Sequence, residues 1–103
     1  MEQAIKKVRQ ELTRGEILLY LTKVYPQGAT PQVLKHYLEE RGYPVLNEEF
    51  DFHIQYLADA SFVTCELSRW ELGAAEKIRL VKITKGGIDE VDGRPKASSG
   101  VRF

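Results

Sequence analysis

Apolar residues open the chain at helical intervals. Ile5, Val8, Leu12 and Leu19 recur at roughly that spacing, and Ile17, Leu18, Leu21 and Val24 continue an apolar face. A helix is therefore expected from about residue 3 until Pro26 and Gly28, both helix breakers, stop it. TRGE, Thr13 to Glu16, has the form of a capping box. It leaves open a fresh start there or a bend at Gly15, where a continuous helix carries a penalty of about 1 kcal/mol. TPQVLKHYLEERG is the clearest helix: Thr30 suits the cap and Pro31 the first turn. Val33, Leu34, Tyr37 and Leu38 make its apolar face, and Gly42 suits a left-handed end. A third helix follows in NEEFDFHIQYL, with Asn47 as its cap and Phe50, Ile54 and Leu57 facing inward. His53 flanks that stripe as a partly buried structural residue, and Glu48, Phe52, Gln55 and Asp59 trace the opposite face.

The period then changes. FVTCEL (Phe62 to Leu67) and IRLVKIT (Ile78 to Thr84) are rich in β-branched and apolar residues, and SRWELGAAEK connects them as a long hairpin. TKGGIDEVDG reads as a short helix capped by Thr84. The tail RPKASSGVRF carries Pro, Gly and Ser with little apolar content, and a flexible arm is expected there. The expected class is α+β, mainly helical. Three helices, a two-stranded wing hairpin and a short C-terminal helix follow the order of a winged helix-turn-helix, occupying residues 1–93 with a basic tail over 94–103.

ATPQVLKHYLEERG, NEEFDFHIQYLADASFV and LVKITKGGIDEV resemble winged-helix proteins broadly of the MarR and PadR type. In those proteins the second wing strand runs into a Leu-Thr-x-x-Gly step that starts the next helix; here the step is Ile83, Thr84, Lys85, Gly86, Gly87. YLADASFVT, LVKITKGGIDEVDGRPK and the terminal SGVRF are more closely similar to a family of short winged-helix proteins encoded in Mu-like prophages. The resemblance implies a winged-helix fold and a small DNA-associated regulator or accessory factor. It also implies basic residues on the third helix, where this chain has Asn47 and Asp51.

Composition narrows the class. The chain has 103 residues, enough for one core, and its hydrophobic and charged shares of 43% and 29% are those of a soluble globular domain. It has no apolar run of membrane-spanning length, MEQAIKKVRQEL lacks the apolar stretch of a secretory signal, and Cys65 is a single cysteine. A cytoplasmic location is expected. Net charge is zero but unevenly spread: residues 1–14 hold four basic and two acidic residues, and residues 94–103 hold three basic and none acidic. The acidic excess lies between them, and an acidic body opposes approach to phosphate.

Two functions compete. The first is DNA binding with transcriptional regulation, favoured because the fold so often performs it, although fold alone is an associational warrant. Asn47 and Gln55 are then the candidate base contacts, and Arg69, Lys77, Arg79, Arg94 and Lys96 the candidate phosphate contacts. The second is a protein-interaction winged helix that docks a basic partner through Glu48, Asp51, Phe52 and Trp70, with no DNA binding of its own. Glu48, Glu49 and Asp51 also have a purely local explanation, since acids at a helix start favour its dipole. Ile5, Val8 and Leu12 suggest a homodimer through the first helix. His36, His53 and Cys65 are scattered, and TKGG lacks the spacing of a phosphate-binding loop. No catalytic residue, metal, cofactor, small-molecule ligand or membrane partner is expected.

Overall fold

A computed structural model describes residues 2–68, 77–93 and 100–103. The order is α1 (Glu2–Lys23), α2 (Pro31–Glu40), α3 (Asn47–Asp59), β1 (Val63–Ser68), β2 (Lys77–Ile83) and α4 (Lys85–Asp92). The chain is α+β and mainly helical, with one two-stranded antiparallel sheet. Its element order is the one anticipated from the periodicity.

α1 runs unbroken through Gly15, so TRGE starts no separate helix. Only its second half enters the core: Ile17, Leu18 and Leu21 are fully buried, whereas Ile5 is 68% exposed. α2 begins as expected, with the Thr30 hydroxyl accepting from the Val33 amide at 3.3 Å and Pro31 in the first turn. It ends where Gly42 adopts a φ of +89°, and Tyr43 N–H donates to the Leu38 carbonyl. Leu34 and Leu38 are buried and Tyr37 half-buried, but Val33, expected on the same face, is largely exposed.

In α3, Phe50, Ile54 and Leu57 are buried as expected. His53 is fully buried too, rather than merely flanking them. The cap differs: Leu46 occupies that position without a side-chain hydrogen bond, and Asn47 is already helical. Glu48 and Glu49 lie in the first turn, where negative charge favours the helix dipole without a side-chain cap.

β1 pairs with β2 from Val63–Ile83 outward, with a bulge at Glu66/Leu67. Ala29 adds an isolated bridge by exchanging two 2.9 Å backbone hydrogen bonds with Val81, which ties the α1–α2 turn to the sheet. Gly28 precedes it at a φ of +82°, with Val81 O where a Cβ would stand. α4 is seated by Thr84. Its hydroxyl accepts from the Gly87 amide at 3.0 Å and donates to the Ser61 carbonyl at 2.6 Å. The core therefore gathers α1, α2, α3 and the inner face of the hairpin, and Val101 joins it at 2% exposure.

That last contact corrects an expectation. Residues 94–99 of the anticipated flexible arm lie outside the described residues, but residues 100–103 return and dock between α1 and α3. Burial of Val101 and backbone hydrogen bonding, which tail composition does not reveal, hold them there.

Candidate functional site

The outer face of α3 is acidic. From Asn47 to Asp59 the helix carries four carboxylates and neither lysine nor arginine. Glu48, Asp51, Phe52, Gln55 and Asp59 are exposed, Phe52 to 56% of its surface. The i, i+4, i+7, i+11 spacing places Glu48, Phe52, Gln55 and Asp59 along one stripe, with Asp51 beside it. Both candidate base contacts are already engaged. Asn47 Oδ1 accepts from Lys35 Nζ at 2.7 Å, and Gln55 Nε2 donates to Asp59 Oδ1 at 2.8 Å. Beside the start of α3 lies an open depression of about 400 Å³ lined by Gln32, Lys35, His36, Glu39, Pro44 and Val45.

On the hairpin, Lys77 and Arg79 are exposed. Glu66 takes both neighbouring cations, with Arg79 at 2.6 Å and Lys82 at 3.1 Å. The Lys82 hydrogen bond, aided by the charges of Lys82 and Arg79, holds the Glu66 carboxyl below its ordinary value against the opposing effect of desolvation. One carboxylate is thus shared by two hairpin cations, which leaves the group net positive, and exposed pairs of this kind are weak and open to competition. Arg69, Trp70, Arg94 and Lys96 lie outside the described residues. On α1, Ile5 is exposed while Val8 and Leu12 are half-buried, so the three do not form one uniformly free stripe.

The densest polar cluster is elsewhere, and the sequence reading missed it. Arg14 is only 6% exposed. Its Nε donates to His53 Nδ1 at 3.2 Å, its NH1 group donates to the Gly100 carbonyl at 2.9 Å, and the guanidinium lies 3.8 Å from the centre of the Tyr56 ring. Because Arg14 is a donor, Nδ1 must be the unprotonated ring nitrogen. The ring proton then sits on Nε2, which faces Glu49 Oε2 at 3.4 Å. Burial is the main force lowering the His53 pKa, and the Arg14 charge adds to it while Glu49 opposes. His53 is accordingly held neutral. Burial also lowers the Arg14 pKa, with Tyr56 and Glu11 working the other way. Glu11, 2% exposed, accepts from Arg102 twice: backbone amide to carbonyl at 3.0 Å, and side chain to carboxylate at 3.3 Å.

One signal for this cluster was present. Glu11, Arg14, Leu18 and Leu21 share a helix face at i, i+3, i+7 and i+10, so two charged residues continue the buried stripe.

Among the described residues no group of His, Cys, Asp and Glu is placed to hold a metal ion, and no helix is long and apolar enough to cross a membrane. Cys65 is half-buried, and burial pushes its thiol pKa up, the opposite of an activated nucleophile. Comparison with protein-family models, curated proteins and solved structures finds no match.

Proposed function

We propose that the chain is a winged helix-turn-helix domain that docks a basic protein partner on the outer face of α3. The fold part of this reading is supported by the order of three helices, hairpin and fourth helix, and by the isolated Ala29–Val81 bridge that ties the α1–α2 turn to the hairpin. The observation that carries the function is the charge of α3: four carboxylates, no cation, and an exposed Phe52 among them.

A helix entering the major groove runs between two rows of phosphates, and attraction to phosphate supplies much of the affinity of DNA binding. α3 opposes that attraction, and the Lys35 contact to Asn47 Oδ1 and the Asp59 contact to Gln55 Nε2 compete with any base edge for those atoms. A cationic protein surface offering an apolar contact to Phe52 meets the same face with favourable charge and no such penalty.

DNA binding, which the sequence favoured, becomes the second reading, supported by the exposed Lys77 and Arg79 on the hairpin. In that reading the hairpin grips phosphate from the side and α3 stays clear of the groove. One experiment separates the two: titrate the full chain with random-sequence duplex DNA at low salt, and separately with a cationic amphipathic peptide. The docking reading expects no retention of DNA. It expects peptide binding that is lost in the combined Glu48→Gln, Asp51→Asn and Phe52→Ala variant. DNA binding that falls steeply with added salt overturns it.

A further inference from the structure

We infer that the cleft between α1 and α3 is a recognition site for a short segment of the form glycine, aliphatic residue, arginine, and that residues 100–103 are its tethered ligand. The inference stands independently of the docking face proposed for α3.

Each position of the segment is selected by a different feature. Gly100 has a φ of +77°, and a Cβ there would collide with the Tyr56 ring, with Cζ at 2.5 Å and the hydroxyl nearer still. Its carbonyl accepts from Arg14 at 2.9 Å. Val101 inserts to 2% exposure, so an aliphatic side chain of limited size fits and a charged one does not. Arg102 pairs with the Glu11 carboxylate at 3.3 Å while its amide donates to the Glu11 carbonyl at 3.0 Å.

The receptor side is built for the same segment. Gly15 lies in the middle of α1, where glycine is unfavourable, and a Cβ at this position would overlap the Arg102 carbonyl. Arg14 is fixed beneath the segment by His53 on one side and Tyr56 on the other. Selection at three successive ligand positions, met by a glycine notch, a buried carboxylate and a fixed guanidinium, goes beyond the burial of one apolar residue. Tethering supplies an effective concentration on the order of millimolar. An intrinsic Kd about a hundredfold below that concentration keeps the site filled, and free peptide at up to millimolar concentration enters it once the tethered copy is dislodged.

The test uses the full chain carrying Val101→Asp, which dislodges the segment by charge. Capped Ser-Gly-Val-Arg-Phe peptide is added over the millimolar range, with Ser-Ala-Val-Arg-Phe and Ser-Gly-Asp-Arg-Phe as controls. Thermal midpoint and the His53 imidazole NMR signals are the readouts. The substitution is expected to lower the midpoint, and the matching peptide to restore most of the loss and shift the His53 signals. Both controls are expected to bind at least about tenfold more weakly, and the unmodified chain to respond little because its site is occupied. A variant that ignores the matching peptide, or responds equally to all three, overturns the inference. Should Val101→Asp fail to fold, Arg102→Ala loosens the segment without burying a charge. The full chain with that substitution is expected to take up fluorescent matching peptide more readily than the unmodified chain does, and equal uptake overturns the inference.

Discussion

Gly15→Ala offers a test in which two physical effects have opposite signs. In a solvent-exposed helix interior the substitution stabilises by about 0.8–1.0 kcal/mol, because alanine loses less backbone freedom. Here the new methyl would overlap the Arg102 carbonyl, a backbone atom that cannot swing aside as a side-chain end would. The segment must lift. It then surrenders the burial of Val101, worth about 1.5–3 kcal/mol at most, together with the Gly100 and Arg102 hydrogen bonds. Net of the freedom regained by four residues, docking that favours the filled site about a hundredfold is worth about 2.7 kcal/mol, and the helix-propensity gain of alanine is set against that. The expected net effect is a destabilisation of about 1–2 kcal/mol, or roughly 4–8 °C in midpoint for each kcal/mol in a domain of this size. Combined with Val101→Asp, which removes the segment beforehand, the same Gly15→Ala change is expected to stabilise by its helix-propensity value. The assay is a double-mutant cycle by chemical and thermal denaturation. If Gly15→Ala stabilises in both backgrounds, the docked segment contributes nothing and the reasoning fails.

Three further outcomes are expected. Burial and Arg14 hold the folded-state pKa of His53 below its ordinary value of 6.5, so below that pH the unfolded chain takes up a proton that the folded chain resists. Stability contributed by this site is complete above pH 6.5 and falls as pH drops toward the folded-state pKa, by up to about 1.4 kcal/mol per pH unit; His53→Gln should flatten that part of a denaturation profile. Thr84→Ala removes both the cap of α4 and the bond to the Ser61 carbonyl, for an expected loss of about 0.5–2 kcal/mol in urea titrations that leave the midpoint of an exposed control substitution unchanged. Cys65, whose thiol pKa is raised by burial, should react with iodoacetamide at neutral pH more slowly than free cysteine, and faster modification would contradict its placement.

The elements were legible because their signals are local. Thr30 and Thr84 each sit directly before an apolar-periodic run and cap it as read, and β-branched and apolar enrichment marked both strands. α1 shows the limit of periodicity. Ile5 belongs to an apolar stripe that continues to Leu19, yet it is exposed while Glu11 and Arg14 are buried. A spacing rule records which residues share a face but not which face is covered, and in α1 the cover is supplied partly by the segment at the far end of the chain. The misplaced cap of α3 has a related cause: Asn47 is a good cap in isolation, but Lys35 binds its side chain from a neighbouring helix.

Sequence distance explains why the Arg14 cluster escaped notice. Arg14 reaches His53 across 39 positions and Gly100 across 86, and none of the three is unusual for its local context. Arg14 counts toward a basic end, Gly15 registers as a helix defect, and Gly100 belongs to a polar tail. Brought together, the apparent defect becomes the notch, the basic residue becomes a buried donor and the tail becomes the ligand. The charge of α3 behaves differently, because it is a property of thirteen consecutive residues and needs no distant partner to be seen. That difference shapes the functional argument: the acidic face can be weighed from sequence and sharpened by the Lys35 and Asp59 contacts, whereas the cleft exists only once the chain has closed on itself.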